Sequence, residues 1–79
     1  INHLFEKEIQ DLMQESLDKL PPKTSEIFLL SRKKYMRNAE IAIKFNLTEK
    51  SVEYHISKAL EALRMELKDY LLIAILLFL

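Results

Sequence analysis

The side chains of this 79-residue chain best placed to do chemistry follow one another directly after Thr48: Lys50, Ser51, Glu53, Tyr54, Ser57 and Lys58. An α-helix advances about 100° per residue. A helix beginning there would place Val52, Ile56, Ala59, Leu60 and Leu63 on one side, facing a core. Lys50, Tyr54, Ser57 and Glu61 would fall opposite, with Ser51 and Lys58 on one flank and Glu53 on the other. Such a rod fits the major groove of duplex DNA, where base edges are read by hydrogen bonds. Glu53 can accept from a cytosine amino group. Ser51, Tyr54 and Ser57 can donate or accept at base edges or phosphates, and Lys50 and Lys58 suit phosphate or guanine. These six are the candidate base contacts; the plainer reading of each, taken singly, is an ordinary exposed helix residue. His55 points toward the core boundary and reads as a packed surface histidine, neither catalytic nor metal-binding.

Formal net charge is zero, but the charges are segregated. Residues 1–22 carry five acids and two bases, residues 23–58 eight bases and four acids, and residues 59–79 two bases and three acids, so the local balances are −3, +4 and −1. Arg32, Lys33, Lys34 and Arg37 form the densest basic stretch and are candidate contacts to a phosphate backbone. Asn38 and Thr48, at the expected starts of two helices, join them as backbone candidates. A solvated lysine-rich turn is the alternative for the cluster.

Other chemistries find little to work with. With no cysteine there is no disulfide, thiolate metal site or cysteine nucleophile, and only His3 and His55 remain as soft ligands. No paired carboxylates, no nucleophile beside a base and no glycine-rich phosphate loop can be found, so the expectation is no catalytic residue, no metal, no cofactor and no enzyme.

The elements that must hold these groups read as all-α, since glycine is absent, prolines number two and no alternating hydrophobic run occurs. Ile1, Leu4, Phe5, Ile9, Leu12, Met13, Leu17 and Leu20 recur at helical spacing, predicting an amphipathic helix over 2–19 with Asn2 as its cap. Pro21-Pro22 ends it and opens a second helix over 22–31, with Ile27, Phe28 and Leu30 in the core. Residues 32–37 connect, with Tyr35 and Met36 folding back onto the core. A third helix covers 38–45 and a fourth begins after Thr48, whose hydroxyl can cap it. Between them, Ala42 sits at a close helix crossing, Asn46 at a left-handed turn position and Leu47 as the plug of the turn. This is the spacing of a helix-turn-helix, whose last helix is presented to DNA.

A domain over 1–70 is thus followed by an apolar tail over 71–79, Leu71-Leu72-Ile73-Ala74-Ile75-Leu76-Leu77-Phe78-Leu79, expected to continue the last helix. As a helix the tail reaches only about 14 Å, too short to span a bilayer. Being apolar on every side, it is expected to be covered, by the first helix, by a partner or, as the favoured expectation, by a second copy in a homo-oligomer. A first residue other than methionine suggests a piece of a longer protein.

Leu20-Pro21-Pro22-Lys23, Ile27-Phe28-Leu29-Leu30-Ser31-Arg32, Glu40-Ile41-Ala42, and Ser51-Val52-Glu53-Tyr54-His55-Ile56-Ser57-Lys58-Ala59-Leu60 followed by Leu63-Arg64 together resemble region 4 of the bacterial extracytoplasmic-function sigma factors, most closely those of Bacteroides-like bacteria. The resemblance covers about residues 5–70. It implies that the last helix binds the promoter −35 element and that the domain docks on the flap of the RNA polymerase core. It also implies a cytoplasmic protein, with an anti-sigma factor as a further partner.

The chain departs from the family pattern in the turn before the third helix. Tyr35 stands where glycine is usual and Arg37 where a serine or threonine cap is usual, which moves the expected cap to Asn38. Asn46 replaces a common glycine, a milder change because asparagine accepts positive φ. With few basic residues on the last helix, affinity in isolation should be low and reinforced by other contacts of the initiation complex. The alternatives are a LuxR-like helix-turn-helix regulator and a helical protein-interaction module without DNA binding. Salt-sensitive binding to promoter duplex separates the first two classes from the third. Co-purification with polymerase core separates the sigma reading from the LuxR-like one.

Overall fold

The computed structural model of the chain describes the backbone of residues 2–78 and the side chains of residues 6–69. Four helices follow one another, α1 (Asn2–Asp18), α2 (Pro22–Arg32), α3 (Asn38–Phe45) and α4 (Glu49–Phe78), and the described residues include no strand.

The prolines separate α1 from α2 as their geometry requires. Pro21 is extended at φ −54°, ψ 139°, the region to which a following proline confines it, and Pro22 begins α2 where a missing N–H costs nothing. One hydroxyl ties α2 back to α1 at this corner, and a second is satisfied within α1. Ser25 Oγ donates to the Leu17 carbonyl, and buried Ser16 donates to the Leu12 carbonyl at 2.9 Å. No described buried side-chain nitrogen or oxygen lacks a partner.

α4 is the common wall against which α1, α2 and α3 all pack. Leu17 of α1, Phe28 of α2 and Ala59 and Leu63 of α4 form one buried cluster. Ile27, Ile41, Ala42 and Val52 form a second around the helix-turn-helix, and Ile56 bridges the two. Ile27, Ile41 and Val52 have no exposed surface. Removing a branched side chain from water is worth about 1.5–3 kcal/mol, so these three fix how α2, α3 and the start of α4 meet.

The α3–α4 turn closes as a Schellman motif. Asn46 is left-handed at φ 55°, ψ 48°, its N–H donates to the Ile43 carbonyl at 3.2 Å, and the Leu47 N–H reaches back to the Ala42 carbonyl at 2.8 Å. Leu47 packs against the second cluster, and Ala42 is buried beneath the crossing.

Three expectations are corrected. Tyr35 does not fold back onto the core: it is 85% exposed, because its left-handed backbone (φ 55°) aims the ring outward while the next residue, Met36, takes the inward place. Asn38 is not the cap of α3. Arg37 holds that position at φ −77°, ψ 155°, and Asn38 is the first helical residue. The cap bond is supplied instead by Glu40, whose carboxylate accepts from the Arg37 backbone N–H at 2.9 Å. Leu60 stands on the edge of the apolar stripe, about 80° from Val52, and is 38% exposed rather than buried.

α4 continues unbroken for 30 residues, about 45 Å, the long dimension of a molecule measuring 45 × 22 × 20 Å. Its backbone passes residue 70 without interruption. The expectations for the side chains of Ile1, Asn2, Leu4, Phe5 and residues 71–79, including the Asn2 cap, the covering of the tail and self-association through it, lie outside the described side chains. Among the described residues no helix is long and apolar enough to cross a membrane.

Candidate nucleic-acid interface

Position 48 sets the start of the interface. Thr48 Oγ1 accepts from the Ser51 backbone N–H at 3.0 Å, satisfying one of the donors a helix start leaves unpaired. One turn of helix then carries the chain from this cap to Val52, which anchors the inner side in the second cluster. With that side fixed, the outer side is determined by the 100° step. Lys50, Glu53, Tyr54, Ser57, Lys58 and Glu61 are all exposed there, and Ser51 is half-buried on the flank.

The outer face has internal order. Tyr54 is 59% exposed, and the Lys58 ammonium lies 5.6 Å from its ring centroid, a cation–π arrangement. The same ammonium is 3.9 Å from Glu61 Oε2, so Lys58 is shared between an aromatic face and a carboxylate. On the other side the Tyr54 ring meets His55 edge-on at 5.8 Å. His55 is in turn tied to α2: its Nδ1 lies 2.9 Å from the hydroxyl of buried Thr24. The histidine therefore holds α4 to α2, which accounts for its place at the core boundary.

The backbone candidates occupy three settings. Arg32, in the last turn of α2, carries its guanidinium 5.7 Å over the Phe28 ring. Lys33 and Lys34 are exposed in the connection. Arg37 is the cap residue of α3, with its Nε 3.4 Å from Glu40 Oε1. The Arg37 backbone N–H first, and its guanidinium second, hold the exposed Glu40 carboxyl below the usual carboxylate range. Asn38 is half-buried at the first position of α3, and Thr48 is exposed but engaged as a cap.

Sequence pattern assigns Tyr35 on the α2–α3 connection to the core rather than to the surface, and passes over Ile43, 83% exposed on α3. The signal for Tyr35 was its left-handed turn position. Ile43 carried none beyond lying between buried Ala42 and exposed Lys44. Among the described residues no cluster of histidine and carboxylate side chains could hold a metal ion.

The arrangement can present donors, acceptors and one aromatic ring to a groove from a helix braced on its opposite side by three others, with cations at the entrance of α3. Comparison with known proteins agrees: the family model described as Sigma-70, region 4 matches residues 10–63, which span the second half of α1, all of α2 and α3, and α4 through Leu63. No curated protein and no solved structure matches the chain. With more than half its length matched by that model, the chain belongs to the sigma-70 region 4 family, the helix-turn-helix DNA-binding domain of sigma factors in transcription initiation.

Proposed function

We propose that this chain is the −35-reading domain of an extracytoplasmic-function sigma factor acting in the cytoplasm, recruiting the RNA polymerase core to promoters. One observation carries the reading. Val52, Ala59 and Leu63 on the inner side of α4 are buried, while its Lys50, Glu53, Tyr54, Ser57 and Lys58 side faces solvent at the start of the second helix of a helix-turn-helix. In such motifs that segment enters the major groove and the preceding helix crosses the phosphate backbone. Glu53 and Tyr54 would select bases, Ser51 and Ser57 would add hydrogen bonds, and Lys33, Lys34 and Arg37 would fix the domain on phosphates. The α1–α2 side, where Met13, Leu17, Phe28 and Leu29 line an open groove, is left for the polymerase.

The mechanism is recruitment, not bond chemistry. Binding energy spent on a short duplex element positions a polymerase held by the same domain, and linkage of two modest contacts makes the whole tight. The test is promoter selection by the chain in its sigma factor. Glu53→Ala and Tyr54→Ala should change which promoters are transcribed, each good base contact being worth about 1–3 kcal/mol. Equal loss at every promoter would show that these residues do not read bases. Failure of the chain to accompany polymerase core on purification would favour an independent helix-turn-helix regulator.

A further inference from the structure

Tyr35 combines features that rarely coincide without use. It is the most exposed of the large hydrophobic side chains described, at 85%. It also has one of the two positive-φ backbones in the described chain, at φ 55°, the other belonging to Asn46. Left-handed backbone crowds the Cβ of an L-residue against its own carbonyl, and asparagine tolerates this far better than an aromatic residue does. The turn itself imposes the geometry: the Met36 N–H returns to the Leu30 carbonyl at 3.1 Å, and Met36 packs into the second cluster. Glycine would satisfy that path without strain. The chain instead places a large ring there, strained and in water. Strained residues kept by their surroundings concentrate at functional sites.

The neighbours identify the occupant. Lys33 and Lys34 precede the ring, Arg37 follows it, and all three are exposed. The ring lies on the connection entering α3, the helix that crosses the phosphate backbone in helix-turn-helix docking. A polyanion matches this charge, and tyrosine is among the side chains that contact phosphate and sugar in duplex complexes. Building on the reading of the chain as a DNA-binding domain, we infer that Tyr35 is a further backbone contact to duplex DNA, its ring packing on a deoxyribose and its hydroxyl donating to a phosphate oxygen between the Lys33-Lys34 and Arg37 cations. The contact carries no base information, so it adds affinity to every sequence alike.

Stability and binding should then move in opposite directions. Tyr35→Gly, measured on this chain by thermal melting and by fluorescence anisotropy with a labelled promoter duplex and a mixed-sequence duplex, should melt about 4 °C higher. It should also bind both duplexes about tenfold more weakly, the hydrogen bond and the ring's packing being lost together. Tyr35→Asn, which also accepts the left-handed backbone, should repeat both changes. Tyr35→Phe should keep the wild-type melting temperature and lose about fivefold in binding, the hydroxyl's share alone. If Tyr35→Gly and Tyr35→Asn bind duplex as wild type does while wild-type binding is intact, the Tyr35 assignment falls and the DNA-binding reading stands. Wild-type duplex binding paired with a glycine variant that joins polymerase less well would overturn it in favour of a protein contact. A wild-type chain that binds no duplex at low salt would overturn both.

Discussion

At the residue scale the chain replaces expected small or capping residues with side chains that need compensation, and the compensation is visible. Arg37 cannot accept a hydrogen bond as a serine cap would, so the start of α3 is closed from the other direction by Glu40, which accepts from the Arg37 N–H at 2.9 Å and from its Nε at 3.4 Å. Sequence spacing placed α3 correctly but gave the cap to Asn38, because residue preference favours asparagine there and only the backbone shows that Arg37 is the extended residue. The Glu40 bonds favour its ionised form, so its pKa is lower folded than unfolded. A depressed carboxylate pKa contributes stability that is present above the unfolded value and lost as pH falls through the folded one. Glu40→Ala should therefore melt below wild type at neutral pH, and the gap should narrow as pH falls through and below the ordinary value of 4.5. Thermal melting across that range checks it. A gap independent of pH would mean that Glu40 acts through helix propensity rather than charge.

At the element scale the α1–α2 and α3–α4 junctions were legible because each is marked by strong local chemistry: the prolines before α2, the left-handed Asn46 after α3, and the Thr48 cap before α4. The exposed outer face of α4 was legible for the same reason, since a buried Val52 one turn beyond a fixed cap determines the rotation of everything following. Pattern failed at the edge of the stripe, where Leu60 is apolar but lies far enough around the helix to be part-exposed. It also missed the pairing of His55 with Thr24, because residues 31 apart in the chain meet only once α2 is laid against α4. The separation of inner and outer faces has a measurable consequence. Val52→Ala should lower stability by about 2 kcal/mol, since no surface of Val52 is exposed and the cavity cannot fully collapse. In denaturant melts this would be a shift in midpoint at unchanged slope. Promoter choice by the folded fraction should stay as in wild type, in contrast to Tyr54→Ala, which should alter choice and leave the midpoint almost unmoved. A Val52→Ala protein with altered preference at full occupancy would mean that the inner side takes part in reading.

At the scale of the whole molecule, a chain of zero net charge binds a polyanion only if its charge is unevenly placed. The fold preserves the unevenness seen in the sequence. The acid-rich first segment is α1, and the +4 segment, residues 23–58 with eight bases and four acids, is α2, α3 and the first third of α4. Charges on exposed surfaces are screened beyond about 10 Å at 0.1 M salt, so the acids of α1 do not cancel cations seated directly on phosphates. The sequence could not show that these cations are unequal. The Arg32 guanidinium lies over Phe28, and Arg37 is paired with Glu40, whereas Lys33 and Lys34 are in no ion pair among the described residues. The two lysines can therefore settle on phosphates without first leaving a partner. Each phosphate neutralised contributes about 0.9 to the slope of log affinity against log salt. The double variant Lys33→Ala and Lys34→Ala should lower that slope by nearly 2 on promoter and mixed-sequence duplex alike. The double variant Arg32→Ala and Arg37→Ala should lower it by less, because part of each arginine's charge is already engaged within the domain. A salt titration of duplex binding on both variants decides the matter: equal changes in slope would show that the contacts to Phe28 and Glu40 do not hold the arginines back from DNA.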